Sequence, residues 1–434
     1  MTVGTTSRES APAAGSPRRL SAGWGASGAP SLAEHRLTYP AASTPRGRPD
    51  GRVIDTVERA GLRGRGGGGF PTGTKMRAVA ARPGPSVVVA NGSEGEPTSG
   101  KDKTLLTRAP HLVLDGLLLA AAGVGATRAV VAVERGTDAL DAVRRAVAER
   151  VAAGEAEPVV QVVETPRHFV AGEETALVRL INGGEARPTL TPPRPFERGV
   201  HGRPTMVGNV ETYAHLSMIM RWGSAWFRGM GTDDEPGTAL LTVSGGVHRP
   251  GVFEVPLGTP LAGVIDAAGG PSGGVAAVLL GGYYGTWISG DAARYAALAG
   301  ASLQPLGASV GCGVVLVLPH DACGLAETAR VLRWMAGETA GQCGPCVHGL
   351  AAVAGAMTAL ADGRGGSAAV AQLHRWSRQI EGRGACRFPD GAVRLLRSAL
   401  DVFGDDVGRH VLGPCHLASR PARLPIPADG GPWR

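Results

Sequence analysis

The stretch GLRGRGGGGFPTGTK, from Gly61 to Lys75, decides how the rest of the chain is interpreted. Its clustered glycines let the backbone adopt positive φ angles and approach a ligand closely. Successive N–H groups in such a loop form a nest for an anion, and phosphate is the usual one. Lys75 adds a matching positive charge. Because no clear strand leads into the loop, it does not fit the G-x-G-x-x-G dinucleotide pattern, and a linker stays an open interpretation here.

Two acidic clusters favour the ligand-binding interpretation. The segment NGSEGEP, residues 91–97, directly follows a short apolar strand at 86–90. The segment GEETA, residues 172–176, comes after another strand and opens a helix. Ligands of parallel α/β sheets bind at the carboxyl ends of the strands. Acids at a helix start can serve as simple caps, but the glycine loop and the two acidic clusters together point to a binding site.

The first half of the chain, about residues 50–225, alternates strands with helices and predicts a parallel α/β sheet with crossover helices. A small β-grasp-like pattern begins near Gly237. A helical block follows at about 324–405. The predicted strands lie at 86–90, 129–133, 159–163, 239–243 and 278–280, and the predicted helices at 111–121, 137–153, 261–268, 324–335, 349–360, 368–380 and 392–403.

Composition excludes several functional classes. The net charge is +7, but the basic residues are scattered arginines without a Lys/Arg block, so nucleic-acid binding is not expected. No uncharged apolar run is long enough to span a bilayer, and the N-terminus lacks the pattern of a secretory signal. Without a signal, the six cysteines are not expected to form a disulfide framework.

Three of the cysteines have spacing typical of a metal or cluster site. Cys343-Gly-Pro-Cys346 is a common half-site, and Cys386 follows downstream. From spacing alone, zinc, a redox role or no role all stay open. Cys312, Cys323 and Cys415 lie outside this motif and receive no role.

Together these motifs resemble the NADH-binding FMN/iron–sulfur flavoprotein subunit of complex I. The glycine loop, the acidic turn at 91–97, the segment at 172–176 and the segment GRPTMVGNVET at 202–212 occur in the order and spacing of that family. The resemblance extends over about residues 50–405.

The resemblance implies an FMN-binding parallel α/β domain, then a β-grasp (soluble-ligand-binding) domain, then a helical iron–sulfur domain. The expected boundaries are a disordered segment at 1–45, the three domains at 46–235, 236–310 and 311–410, and a flexible tail at 411–434.

The resemblance also implies which residues bind the cofactors. No acid–base catalytic residue is implied, because the flavin carries the hydride chemistry. FMN would be held by Gly64, Arg65, Gly66, Gly67, Lys75, Asn91, Glu94, Gly172, Glu173, Asn209 and Thr212. NAD(H) would be held by Phe70, Lys75, Glu96 and Glu174, and a [4Fe–4S] cluster by Cys343, Cys346 and Cys386.

The chain departs from the family pattern at both sites. Ser93 stands where the family has Asp, Phe169 where it has Tyr, and Ala340 where it has the fourth cysteine ligand. His348, Cys312 or Cys323 could replace that ligand, or the cluster could hold three irons, be completed by a partner or be lost.

The aromatic residues that surround the adenine in the family are replaced by Met76, Ala78 and Arg194. An aromatic stack is worth roughly 0.5–1.5 kcal/mol, so losing two weakens NADH binding by about 1–3 kcal/mol. Arg194 with Arg77 raises the hypothesis of an NADPH preference.

The resemblance implies an NADH dehydrogenase subunit that passes electrons from NADH or NADPH through FMN and the cluster to a partner, a ferredoxin-like or complex I-type protein or a quinone reductase. We expect it in the cytoplasm, at the inner face of the membrane only through partners. The alternative is a non-catalytic subunit acting in assembly or ligand binding.

Overall fold

The structure, a computed structural model, describes residues 18–24, 28–40, 50–155, 158–427 and 433. Its architecture begins with a four-stranded parallel sheet in the order β3-β2-β1-β4. The strands are β1 (Ser86–Gly92), β2 (Ala126–Glu134), β3 (Val160–Thr165) and β4 (Thr205–Asn209). β1 is central and its first five residues are all buried, which explains why it reads as a continuous apolar run rather than an alternating one.

Helices cover this sheet and lead the chain from one strand to the next. In chain order they are α1 (Leu32–Thr38), α2 (Gly51–Ala60), α3 (Thr72–Ala80), α4 (Lys101–Arg108), α5 (Pro110–Val124), α6 (Asp138–Ala152), α7 (Glu174–Ile181) and α8 (Val210–Arg228). α5 and α8 cross closely, and α8 is interrupted at Gly223. β4, α2, α3, α4 and α8 were not predicted from the sequence.

A second sheet has five strands in the order β6-β5-β9-β7-β8, and β5 and β9 are parallel. The strands are β5 (Thr238–Gly245), β6 (Gly251–Pro256), β7 (Ala277–Leu280), β8 (Thr286–Ser289) and β9 (Val314–Leu318), with short helices α9 (Leu261–Ala267), α10 (Gly290–Tyr295) and α11 (Gly300–Leu303). The expected boundary at residue 310 is therefore wrong, because β9 is a fully buried inner strand of this sheet.

The last block is helical and packs on one face of the second sheet. Its helices are α12 (Gly324–Gly337), α13 (Ala351–Ala361), α14 (Gly366–Ile380), α15 (Phe388–Val402) and α16 (Gly404–Leu412), and a π-helical turn, Pro345–Leu350, precedes α13. Leu279 and Trp287 of the sheet share one buried cluster with Leu325 and Leu396 of the helices. The predicted fold class is confirmed: a parallel α/β part, a β-grasp sheet and a helical block.

The prediction of disorder at 1–45 is wrong for the described residues of that segment. Leu20 is fully buried and its N–H donates to Glu254 over 3.0 Å. Ser31 caps α1, and His35 of that helix lies 2.7 Å from Asp115. These partners come from distant segments, so local composition could not reveal them. Residues 1–17, 25–27 and 41–45 of that prediction lie outside the described residues.

The prediction of a flexible tail at 411–434 is also wrong for its described residues. Leu424 is buried, and its N–H and that of Arg423 donate to Glu327 over 3.1 and 2.6 Å. Trp433 stacks on His168 with 3.7 Å between ring centroids. Tertiary contacts order this proline-rich segment. Residues 428–432 and 434 lie outside the described residues.

Within the described ranges, no single helix is long and apolar enough to cross a membrane. Only the pair α4 and α5, bent by 96° where they meet, would pass such a test on length and composition.

Candidate functional site

The glycine-rich loop connects α2 to α3 and closes on its own backbone. The Gly64 N–H donates to the Phe70 carbonyl over 2.9 Å. Gly67 and Gly69 adopt φ angles of 105° and 59°, which a residue with a side chain would adopt only under strain. The middle of the loop, residues 66–68, is exposed, and so is Phe70. The loop can therefore present N–H groups and one aromatic ring to a ligand.

Arg65 attaches this loop to the rest of the molecule and turns its side chain inward. Its N–H donates to the Thr212 hydroxyl over 2.9 Å, and its guanidinium donates to the Thr238 carbonyl over 3.0 Å. Its Nε lies 3.9 Å from the Glu211 carboxylate. The guanidinium and the Thr212 hydroxyl therefore position the loop.

Lys75, the last residue of the glycine-rich stretch, contacts the 172–176 segment. It lies on α3, where its ammonium donates to the Val207 carbonyl over 2.8 Å and pairs with Glu174 over 3.2 Å. Both side chains of the pair are partly exposed. Lys75 is thus a cation at the mouth of the site with one carboxylate beside it.

The acidic turn and the 172–176 segment touch each other at the carboxyl edge of the sheet. The Asn91 amide donates to the Gly172 carbonyl over 2.7 Å, and its oxygen accepts the Ser93 N–H over 3.1 Å. A Cβ on Gly172 would lie 2.7 Å from the Ser93 carbonyl oxygen. Glycine is required there because the two turns approach so closely.

Asn209 brings the end of β4 to the same place. Its side chain caps α8 by accepting the Glu211 N–H over 3.0 Å and donates to Asp102 over 2.7 Å. A Cβ on Gly66 would lie 3.2 Å from the Asn209 Cβ. The residues predicted from four separate sequence motifs therefore form one connected group in the structure.

The carboxylates of three predicted acids accept hydrogen bonds from the protein's own backbone. Glu94 accepts the Asp102 and Lys103 N–H groups over 3.1 and 3.0 Å and so caps α4. Glu96 accepts the Tyr283 N–H over 2.7 Å, and burial raises its pKa to about 7. Glu173 caps α7, and burial raises its pKa as well. Glu174 is the acid of the four whose carboxylate is partly exposed beside Lys75.

A buried charged cluster next to the loop was not predicted from the sequence. The Lys101 ammonium lies 2.7 Å from Asp102 and 2.9 Å from Glu211, and all three side chains are buried. Burial opposes the charge on Lys101, but the two carboxylates outweigh it and raise its pKa. Charged residues at helix starts usually face solvent, so the sequence carried no signal of this cluster.

This cluster borders a cavity between the glycine loop and the second sheet. The cavity has a volume of about 220 Å³. Gly64, Gly67, Lys101, Glu211 and Gly311 are among the residues that line it. The N–H groups of the loop can bind an anion such as a flavin phosphate beside this space, whereas the Lys101 ammonium is already paired with Asp102 and Glu211.

The three cysteines predicted as cluster ligands converge on one small cavity of the helical block. Cys343, Cys346 and Cys386 line it together with Ala340, the position of the missing ligand. Burial raises the pKa of the Cys346 thiol, and its two cysteine neighbours raise it further. A positively charged iron cluster would offset that cost, so the donor set fits the group. His348 is exposed and does not line this cavity.

One short turn, Phe169–Gly172, connects the two sites. Its Val170 lines the cysteine cavity, while Gly172 holds the Asn91 amide. Burial raises the pKa of the Cys386 thiol, and the charge of the Glu173 carboxylate raises it further. Phe169 stands against Tyr284 with ring centroids 4.6 Å apart.

The residues expected near the adenine do not all face one pocket. Met76 is fully buried among core residues of α2 and α5 and cannot contact a ligand. Ala78 is partly buried and Arg194 is exposed. The Arg77 guanidinium is held by Asp55 and Glu58, which weakens the argument for a bound 2′-phosphate.

Family models match most of the described chain in three adjoining parts. A Nuo51 FMN-binding domain matches residues 57–218, an SLBB domain residues 240–282, and an NADH-ubiquinone oxidoreductase-F iron–sulfur binding region residues 326–410. These matches confirm the predicted FMN, NAD(H) and iron–sulfur cofactors for this family. Fold and site thus define a flavin- and iron–sulfur-binding electron-transfer protein.

Similarity to individual proteins identifies the family of this chain. The chain is 34% identical to an NADH-quinone oxidoreductase F subunit of Rhizobium meliloti (strain 1021), over 83% of this chain and 88% of that protein. It is 31% identical to the corresponding F subunit of Aquifex aeolicus (strain VF5), over 82% and 84%. The chain belongs to the family of NADH-quinone oxidoreductase F subunits, which confirms the resemblance.

A solved structure agrees with this assignment. An NAD⁺-reducing [NiFe]-hydrogenase in its air-oxidised state superposes with a TM-score of 0.79 at 31% identity. The match covers 89% of this chain and 66% of that hydrogenase chain.

Proposed function

We propose that this chain is the NADH-oxidising subunit of an electron-transfer assembly, which moves electrons from a nicotinamide cofactor through FMN to an iron–sulfur cluster and a partner. One observation carries the proposal. The turn Phe169–Gly172 lines the cysteine cavity through Val170 and accepts a hydrogen bond from Asn91 of the acidic turn through Gly172. Electron transfer between two groups requires this kind of proximity. When bound, FMN would supply the hydride-accepting redox chemistry, which no side chain of this protein provides.

The chain's own residues orient the reactants rather than exchange protons. The exposed loop backbone at 66–68 would hold the phosphate, with Lys75 as the cation beside it. Phe70 is 56% exposed and can stack on a nicotinamide ring. Glu174 lies where it can accept hydrogen bonds from a nicotinamide nucleotide. Glu94, Glu96 and Glu173 act by positioning these segments.

The cluster would be held by Cys343, Cys346 and Cys386. Among the described residues, three ligand atoms lie within 4.8 Å of one another at Cys323, His410 and Cys415 but not at these three cysteines. The sulfurs of Cys343, Cys346 and Cys386 are therefore more widely separated. Wider spacing suits thiolates that bind separate irons of a cluster rather than one ion. Ala340 leaves one coordination position to solvent or to a partner.

The acceptor is best sought among acidic electron carriers. The net charge of +7 favours encounter with an acidic ferredoxin-like or complex I-type protein. We place the assembly in the cytoplasm, reaching the inner face of the membrane through its partners. The exposed Phe70 ring supports NADH binding. Because Met76 is buried and cannot contact a ligand, the adenine end of the nucleotide would be held more weakly.

An anaerobic absorption experiment tests the proposal. The protein reconstituted with FMN, iron and sulfide is recorded before and after NADH is added. We expect the flavin band to bleach, followed by the broad cluster absorbance. In Cys346→Ser the flavin band should still bleach while the cluster signal is lost.

A flavin that binds but stays oxidised with both NADH and NADPH would contradict dehydrogenase activity and favour the non-catalytic alternative. A matched titration with NADPH tests the nucleotide preference, and equal or faster reduction by NADH excludes the NADPH hypothesis.

A further inference from the structure

A second cluster of soft ligands lies at the far end of the helical block. Cys323 caps the start of α12, His410 lies in the last turn of α16, and Cys415 follows that helix. One ligand atom from each residue lies within 4.8 Å of the other two. Cys323 and His410 are buried, and Cys415 is partly exposed.

The spacing of these atoms matches a single tetrahedral ion. The Cys323 sulfur lies 3.5 Å from the His410 Nε2. Zinc–sulfur and zinc–nitrogen bonds of about 2.3 and 2.0–2.1 Å at a tetrahedral angle place these atoms about 3.5 Å apart. The same distance suits a thiol–imidazole hydrogen bond, so the third donor distinguishes the two: a simple pair does not require Cys415.

The donor set selects the kind of metal. Two sulfurs and one imidazole are ligands that zinc prefers, whereas magnesium and calcium require oxygens. The partial exposure of Cys415 provides an entry path and room for a water as the fourth ligand. Cys343, Cys346 and Cys386 form a separate site that shares none of these residues.

We propose that Cys323, His410 and Cys415 bind one zinc ion, which fastens the C-terminal segment to the start of α12. The segment after Cys415 runs back along the helical block: Leu424 is buried, and Glu327 of α12 accepts its N–H over 3.1 Å. The Pro425 carbonyl accepts the Tyr283 hydroxyl over 2.5 Å. Zinc would hold this segment at its beginning, where the chain leaves α16.

Metal content and thermal unfolding of the full chain test the proposal. Protein stripped with a chelator is titrated with Zn²⁺, and Co²⁺ reports thiolate ligation through its charge-transfer absorption. We expect the wild type to retain about one zinc per chain and to melt at a higher temperature with zinc. Cys415→Ser and His410→Gln should each weaken zinc binding by more than about 100-fold. Cys312→Ser, a cysteine outside the cluster, should bind zinc like the wild type.

The cysteines of the proposed iron–sulfur site could also take up zinc, so they are removed in parallel. The triple variant Cys343→Ser/Cys346→Ser/Cys386→Ser should keep the zinc that Cys415→Ser loses, whether or not the chain oxidises NADH. Zinc content that is unchanged in both Cys415→Ser and His410→Gln would overturn the proposal. A Cys323–Cys415 disulfide in protein prepared without oxygen would overturn it as well.

Discussion

At the scale of single residues, hydrogen-bond partners distinguish the acids that position backbone segments from the acid that a ligand can reach. Glu94 and Glu173 cap helices, Glu96 ties the acidic turn to the Tyr283 backbone, and Glu174 lies at the surface beside Lys75. A carboxylate whose oxygens accept backbone N–H groups positions a segment. The Lys75–Glu174 pair is accessible to a nucleotide, so substitutions there should affect binding more than folding.

Lys75→Met removes the cation next to the glycine loop. A hydrogen bond to a charged group contributes about 1.5–3 kcal/mol, so we expect FMN and NADH to bind about 10- to 100-fold more weakly. Flavin retention after gel filtration and the KM for NADH measure this effect. Arg144→Met, which removes an exposed cation of α6 that pairs with Glu164, is the matched control. An equal loss of affinity in both variants would contradict a specific role for Lys75.

Glu96 should make stability depend on pH. Burial raises its pKa from 4.5 to about 7 in the folded chain. Between these values the folded state holds a proton that the unfolded state has lost, so stability falls as the pH rises. The advantage of the wild type over Glu96→Gln should shrink by about 3 kcal/mol from pH 4.5 to pH 7. Urea unfolding at several pH values measures this, and parallel curves for the two proteins would disprove it.

At the scale of elements, the contact between α5 and α8 depends on one small residue. A Cβ on Gly116 of α5 would lie 1.8 Å from the Tyr213 carbonyl oxygen of α8. A backbone atom cannot move aside as a flexible side chain can. The helices that support the carboxyl end of β4, and with it Asn209, are therefore held at a distance that only glycine allows.

Gly116→Ala should destabilise the protein by about 3 kcal/mol or more, because the two helices must separate. The matched control is Gly355→Ala in α13, an exposed helical glycine with no atom within 4 Å of the added Cβ. That substitution should stabilise the protein by about 0.5–1 kcal/mol. Urea denaturation of both variants gives the comparison, and a Gly116→Ala protein as stable as the wild type would show that the helices adapt.

At the scale of the whole molecule, the parallel sheet and the helical block meet at the turn Phe169–Gly172. The Glu338 carboxylate of the helical block accepts the Phe169 N–H over 3.0 Å, and Trp433 stacks on His168 just before the turn. The C-terminal segment thus reaches back to the junction between the two proposed cofactor sites. A substitution in the helical block that shifts Glu338 can therefore displace the turn beside the proposed flavin site.

Ala340→Cys should strengthen the cluster by restoring the fourth thiolate of the family pattern. Ala340 lines the cysteine cavity, so the new sulfur would face the other three. We expect more iron and sulfide per chain and a slower loss of cluster absorbance in air. Ala336→Cys, a partly buried position that does not line the cavity, is the control. If both variants lose the cluster as fast as the wild type, position 340 does not provide a ligand.

The sequence by itself determined the parts of this protein that depend on local patterns. Alternating apolar strands and helices specified the parallel sheet, because strand and helix periodicities are properties of short segments. The glycine loop indicated an anion-binding nest and the Cys-x2-Cys spacing a metal or cluster half-site, since backbone freedom and ligand spacing are also local. FMN, NAD(H) and the [4Fe–4S] cluster were implied by the family that these motifs resemble in their order and spacing. The segment at 172–176 opens a helix as predicted.

Only the tertiary structure decided how these parts are used. Met76 faces the core, and Glu94, Glu96 and Glu173 bind backbone groups, because the direction of a side chain depends on which distant segment packs against it. The order at Leu20 has the same cause. Cys323 and His410, 87 residues apart, meet only because α12 and α16 pack together. Long-range packing has no signature in a local pattern, so folding alone brings such groups to one place.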